Sequence, residues 1–172
     1  MRWLKMNNYT KTFRIRPALF TSLLFFGALV GCFTNNVYAI GLGDAAPDFT
    51  LETTGGERII LKDVLKEKKA VLVFWATWCP HCAAEAPHVE NFYRKNKGKV
   101  AVIGINEGES RAKVAAFAEK KGLSYPMALD SDGSVANAYG VRGVPTIIAV
   151  GKDAKILYYG HSINEAENEN IF

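Results

Sequence analysis

The sequence predicts an α/β layer fold, a mixed central sheet flanked by helices. Three observations predict it. Val71-Leu72-Val73-Phe74-Trp75 and Val100 to Ile105 are continuous apolar runs, the mark of strands buried on both faces. The stretch between them carries apolar residues near helical spacing, which makes a strand–helix–strand unit with parallel strands. Thr146 to Val150 and Lys155 to Tyr159 flank Gly151-Lys152-Asp153-Ala154, a hairpin pattern that adds antiparallel strands.

The elements follow in order. Asp48 to Glu52 and Arg58 to Leu61 read as two short strands around the turn Thr53-Thr54-Gly55-Gly56, an N-terminal hairpin. Lys62 to Lys69 is a brief helical or turn segment, and the first buried strand follows it. Cys82 to Lys95 reads as a helix through Ala83, Ala86, Val89, Phe92 and Tyr93, with Pro87 expected to kink it. After the second buried strand, Ser110 to Lys121 presents Val114, Phe117 and Ala118 on one helical face and is closed by Gly122. Tyr125 to Leu129 reads as a short strand, and Asp132 to Tyr139 as a short helix ending at Gly140.

Composition bounds the class. With 172 residues, 49% hydrophobic and 22% charged, the chain suits one domain with a real core, not a disordered or wholly membrane-embedded protein. The formal net charge of +4 is uneven. Arg2, Lys5, Lys11, Arg14 and Arg16 precede the first acid, Asp44, and without those five the net charge is −1. No basic stripe follows, which argues against a nucleic-acid partner.

The basic residues belong to a leader, expected over residues 1–39, with the domain over 40–172. Ala18 to Phe33 is uncharged and shorter than the roughly 20 apolar residues of a membrane span, the pattern of a signal-peptide core. Leu29-Val30-Gly31-Cys32 resembles the lipobox of bacterial lipoproteins, which would make Cys32 a lipidation site. Val37-Tyr38-Ala39 has the small-residue spacing of an ordinary signal-peptidase site. Both exits, like an uncleaved anchor, place the domain outside the cytoplasm, periplasmic or tethered to the membrane, in an oxidising compartment.

The chemistry lies in Trp78-Cys79-Pro80-His81-Cys82, directly after the buried strand Val71 to Trp75. Cys-x-x-Cys beside a strand–helix–strand pattern is a redox motif. Cys79 falls at a helix N-terminus, where unpaired N–H groups and the helix dipole favour a thiolate. Pro80 suits the first helical turn, because the N–H it lacks has no partner there. Cys82, one turn on, lies on the same face and can reach Cys79 for a disulfide. Cys79 is therefore the expected nucleophile and Cys82 the thiol that resolves the mixed disulfide. A purely structural disulfide is the alternative.

Over roughly residues 44–160 the sequence resembles the thioredoxin superfamily. The matching residues are Phe74 to Cys82, Pro87 in the following helix, and Tyr139-Gly140-Val141-Arg142-Gly143-Val144-Pro145-Thr146. The resemblance implies a thioredoxin-like fold and a cis bond at Pro145 beside the disulfide, with Val144 and Pro145 offering backbone to the substrate chain. Within the superfamily the sequence is most similar to the TlpA/ResA-like branch of exported thiol–disulfide oxidoreductases. Ala46-Pro47-Asp48-Phe49, a strand–helix insertion at about residues 100–122, and Glu85 three residues after Cys82 carry that likeness, as does Val73 where ordinary thioredoxins place a buried acid.

That branch implies Glu85 as proton donor and acceptor for Cys82. It implies protein disulfides and thiols as substrates, and a membrane thiol carrier of the DsbD/CcdA type as electron source. It implies no cofactor beyond the Cys79–Cys82 disulfide, and no metal. The expected function is reduction of protein disulfides, in cytochrome c maturation or a related process. His81 points the other way. The Pro-His dipeptide resembles that of DsbA-type oxidases, and a histidine beside the thiolate makes the disulfide more oxidising.

Trp75 and Trp78 are expected to pack around the site, with Trp75 largely in the core. His88 and His161 are read as ordinary surface or packing histidines, and Glu165, Glu167 and Glu169 as a solvated acidic tail. A Sco-like copper chaperone is the weaker alternative, because that resemblance calls for Cys-x-x-x-Cys. A peroxiredoxin-type peroxidase lacks its proline and threonine ahead of Cys79. The superfamily usually closes with a long amphipathic helix; with Ser162 to Phe172 the expectation here is a short helix, or another cover for that face of the sheet.

Overall fold

Seven strands join into one mixed sheet in the computed structural model, which describes residues 40–169, 171 and 172. The leader at 1–39, with Cys32 and both of its processing sites, lies outside the described residues. The strands are β1 (Thr50–Thr53), β2 (Arg58–Ile60), β3 (Lys69–Trp75), β4 (Val100–Glu107), β5 (Met127–Asp130), β6 (Thr146–Val150) and β7 (Ile156–Gly160). Their order across the sheet is β2-β1-β5-β4-β3-β6-β7. The two apolar runs become the central pair β3 and β4, parallel and in register from Lys69 opposite Val100 to Trp75 opposite Asn106. β5 continues the parallel set, while β6 runs antiparallel to β3 and β7 antiparallel to β6. The expected N-terminal hairpin is β1 and β2, and it extends the sheet antiparallel to β5. Its tight turn uses Gly56 at φ +87°, a conformation open to glycine.

Helices α1 (Leu61–Glu67), α2 (Pro80–Asn96), α3 (Arg111–Lys121), α4 (Ser134–Ala138) and α5 (Ile163–Asn168) complete the fold. Side-chain alternation along β3 divides the core. Val71, Val73 and Trp75 face one apolar cluster with Val89 and Phe92 of α2, Val114 of α3, and Ile163 and Ala166 of α5. Ala70, Leu72 and Phe74 face the other, with Leu61 and Leu65 of α1 and with Val135 and Tyr139 in and after α4. Tyr139 is fully buried, and its hydroxyl donates to Pro47 O at 2.7 Å, which ties the Ala46–Phe49 segment to the sheet.

Two expectations change in detail. α2 begins at Pro80, two residues before the apolar spacing suggests, because Cys79 caps it and Pro80 takes the first helical position. Pro87 lies inside the helix, which runs on to Asn96. The acidic tail is not wholly solvated. From Ile163 it forms the short helix α5, where Ile163 and Ala166 are buried and Glu165 Oε2 accepts from Tyr158 Oη at 3.0 Å. Phe172 packs on Phe92, with ring centroids 4.8 Å apart. Among the described residues, no helix is long and apolar enough to cross a membrane.

Candidate active site

The site lies at the C-terminal ends of the parallel strands, where open α/β sheets place their ligands. β3 ends at Trp75, the loop Ala76–Trp78 follows, and Cys79 caps α2 with extended backbone. The Cys79 sulfur accepts from the backbone N–H of Cys82 at 3.1 Å. Cys79 and Cys82 form a disulfide with Cα atoms 5.2 Å apart, inside the usual span for such a bridge. Both are buried. The cap geometry supplies the Cys82 N–H as a ready partner for a thiolate on Cys79.

A second loop closes over the pair. The Val144–Pro145 peptide is cis. Val144 O lies 3.3 Å from Cys79 Sγ. Thr146 Oγ1 donates to Gly143 O at 2.7 Å and holds the loop from behind. The residues expected to contact substrate backbone, Val144 and Pro145, therefore flank the sulfur expected to attack.

Glu85 and Cys82 line one narrow apolar recess with Trp75, Tyr125, Leu123 and Pro145. Glu85 Oε1 accepts from the backbone N–H of Ile163 at 2.7 Å. Burial first, and then the charges of Glu90 and Glu85, push the Tyr125 phenol above its ordinary value, so it stays neutral beside the recess. On the solvent side a groove of about 470 Å³ is lined by His81, Glu85, His88, His161, Val144 and Pro145. His161 Nδ1 lies 2.7 Å from Pro145 O.

The structure thus brings together Cys79, Pro80, His81, Cys82, Glu85, Val144 and Pro145. It does not pack Trp78 against them. Trp78 is 69% exposed, because Thr77 turns inward and the next side chain of the loop must point out. Among the described residues, no group of three His, Cys, Asp or Glu side chains is placed to hold a metal ion.

Sequence reasoning missed two features. All three histidines of the chain border the one groove, although His161 lies far from His81 in sequence. The second is Glu109. Its side chain is 7% exposed, and its carboxylate accepts from Thr77 N at 2.7 Å, Thr77 Oγ1 at 2.6 Å and Asn106 Nδ2 at 2.8 Å, with Lys113 Nζ at 2.6 Å. The one sequence signal was the polar pair Asn106-Glu107 ending an otherwise apolar strand.

The Redoxin family model matches residues 42–171. The chain belongs to the redoxin family. Within it this redoxin is ResA-like. It is 39% identical over 120 residues to the thiol-disulfide oxidoreductase ResA of Bacillus subtilis, a match covering 69% of this chain and 66% of that one. The chain thus spans about two thirds of that relative's length. A secreted disulfide oxidoreductase of Mycobacterium tuberculosis, homologous to E. coli DsbE, superposes with TM-score 0.62 at 26% identity, covering 72% of this redoxin and 92% of that chain. The thioredoxin domain of a thiol-disulfide oxidoreductase from Bacteroides vulgatus shares the fold, with TM-score 0.68 at 24% identity, over 76% and 96% of the two chains.

Proposed function

We propose that this redoxin is an exported reductant of protein disulfides, with the Cys79–Cys82 pair as its only redox centre. The carrying observation is the carboxylate of Glu85 lining the same recess as Cys82. A carboxylate there can take the proton of the resolving thiol and return it to a departing thiolate. The likeness to the thiol-disulfide oxidoreductase ResA supports disulfide exchange at this pair.

In the forward reaction the Cys79 thiolate attacks one sulfur of a substrate disulfide. A mixed disulfide forms, and the substrate's other sulfur leaves as a thiolate. Cys82 gives its proton to Glu85 and attacks Cys79 Sγ, which closes the Cys79–Cys82 disulfide and expels the second substrate thiolate. Two electrons pass to the substrate, which ends as a dithiol. A membrane thiol carrier of the DsbD/CcdA type restores the reduced pair. Cytochrome c maturation or a related thiol-reducing process supplies the substrate.

Export rests on the leader. Its basic start and uncharged core carry the domain across the membrane, and Cys32 or the site after Ala39 decides whether a lipid tether remains. Detergent-phase partitioning of wild type against Cys32→Ser separates the two; loss of partitioning in the variant marks lipidation.

The direction is tested by the reduction potential of Cys79–Cys82 in glutathione or dithiothreitol buffers. A value below about −200 mV is expected, and one near −120 mV makes the protein a DsbA-like oxidant instead, the reading that His81 favours. Loss of disulfide exchange in Cys79→Ser checks the nucleophile.

A further inference from the structure

We propose that Glu109 is a positioning residue for the redox reaction: acting through Thr77, it fixes the loop that presents Cys79. β3 and β4 are adjacent parallel strands, so the segments leaving their C-terminal ends lie side by side, with Trp75 opposite Asn106. After β3 comes the nucleophile loop, and after β4 come Gly108 and Glu109. Gly108 adopts φ +68°, which turns the chain back so that Glu109 meets the nucleophile loop.

Two of the four donors to the Glu109 carboxylate belong to Thr77, its backbone N–H and its hydroxyl. Thr77 stands two residues ahead of Cys79. A third donor is Asn106, fully buried, whose amide also reaches Trp75 O at 3.4 Å. The carboxylate therefore joins the last residue of β3, the loop and the start of α3 in one charge-assisted network. Ala76 and Cys79 are buried in the core on either side, and Thr77 is the point between them that Glu109 ties down. Trp78 is exposed, and the Cys79 N–H reaches Ala76 O at a long 3.3 Å. Burial raises the Glu109 carboxyl, but the hydrogen bonds from Asn106, Lys113 and Thr77 outweigh it and bring it down to about 2. The clamp is thus ionised at any pH where the thiol chemistry runs.

What the clamp fixes is an attack geometry. Cys79 Sγ sits between the Cys82 N–H and Val144 O, and only a small face is left to a substrate sulfur. A loop free to shift by a fraction of an ångström takes Sγ off that line, and misplacement of this size lowers rates about tenfold or more.

The inference rests on Cys79 as the attacking thiol and not on the physiological direction. The test is the rate at which the reduced protein attacks the aryl disulfide dithiobis(nitrobenzoate). Cys79 forms a mixed disulfide with one aryl thiol and releases the other as a coloured thiolate; Cys82 then releases the second and closes the intramolecular disulfide. Variants are compared at a temperature where circular dichroism shows each to be folded. Glu109→Ala is expected to slow the first release about tenfold, and Thr77→Val several-fold. Thr77→Ser, which keeps both donors, is expected to restore the wild-type rate. The Glu109→Ala/Thr77→Val double variant is expected to be no slower than Glu109→Ala alone, because both act through one contact.

A folded Glu109→Ala protein with wild-type rate overturns the proposal, as does a double variant whose loss is the product of the two single losses. If Glu109→Ala does not fold, the Thr77→Val and Thr77→Ser pair decides in the same way, with a wild-type rate in Thr77→Val overturning it. A reduced wild type that releases no aryl thiolate defeats the nucleophile assignment, and this inference with it.

Discussion

The carboxylate of Glu85 accepts a 2.7 Å hydrogen bond from the backbone N–H of Ile163, the first residue of α5. One side chain therefore serves the redox helix and the C-terminal helix together. Ile163 is fully buried against the face of the sheet that carries α2, and the bond itself is part-buried, so a freed N–H would be only partly compensated by water. This placement gives Glu85 an anchoring contact to α5 that is separable from the proton-transfer role proposed for it toward Cys82.

Glu85→Gln separates them. The amide oxygen still accepts from Ile163, but it cannot take the Cys82 proton. Resolution of a mixed disulfide on Cys79, followed by stopped-flow release of the bound thiol, is expected to slow about 100-fold. Stability in a denaturant titration is expected to stay within about 0.5 kcal/mol of wild type. Glu85→Ala loses both jobs and is expected to cost about 1 kcal/mol of stability as well. Resolution at the wild-type rate in Glu85→Gln would remove Glu85 from the chemistry.

His81 follows Pro80 inside the redox motif and is exposed at the mouth of the groove. A histidine that donates to, or carries charge beside, the Cys79 thiolate stabilises the reduced form and raises the reduction potential. His81→Ala is therefore expected to shift the Cys79–Cys82 potential downward by about 30 mV, close to 1.4 kcal/mol for this two-electron couple. Equilibration of wild type and variant in the same thiol buffers measures it. An unchanged or higher potential in the variant leaves His81 with no tuning role.

The central strands were legible because a strand buried on both faces must be apolar at every position, and Val71 to Trp75 says so without context. The redox motif was legible because its parts lie within one helical turn. Glu109 was not, because its partner Thr77 is 32 positions away and the two meet only through the parallel pairing of β3 with β4. The histidine-lined groove was hidden for the same reason, since α2 and the chain after β7 must first be packed side by side. Trp78 misled for a local reason. An aromatic residue beside a motif suggests packing, yet the inward turn of Thr77 leaves Trp78 facing solvent.

Acid sensitivity follows from Glu109. Its folded value is lowered from 4.5 to about 2, so its contribution to stability is fully present above the unfolded value and fades as pH falls toward 2. Glu90 is shifted the same way: burial raises it, while Ser124 and Arg94 lower it further. Glu107 is shifted upward by burial and by Asp130, and it opposes them. Comparing wild type with Glu109→Gln cancels these and the other shifted carboxylates, Asp63 and Asp132. Urea unfolding at pH 6 and at pH 3 is expected to show wild type losing the larger share of its stability, and parallel losses in both proteins would contradict the ionised clamp.

Gly104 lies in β4 behind the recess that holds Cys82 and Glu85. A Cβ there would meet Met127 Sδ at 2.8 Å, Tyr125 Cε2 at 3.0 Å and Trp75 Nε1 at 3.2 Å. The methionine can swing away, but the two rings cannot. Trp75 packs at a tilt on Phe117 at 5.0 Å, and Tyr125 meets Tyr93 edge-on at 6.1 Å. Gly104→Ala is therefore expected to destabilise the fold by about 1–3 kcal/mol, the usual cost of overpacking a core. Because the displaced rings line the recess, it is also expected to slow mixed-disulfide resolution, while the first attack by Cys79 stays near wild type. Gly98→Ala is the control, since a Cβ at Gly98 meets nothing within 4 Å. Equal melting temperatures for the two variants would show that the rings yield, and that the recess behind Cys82 is softer than its packing indicates.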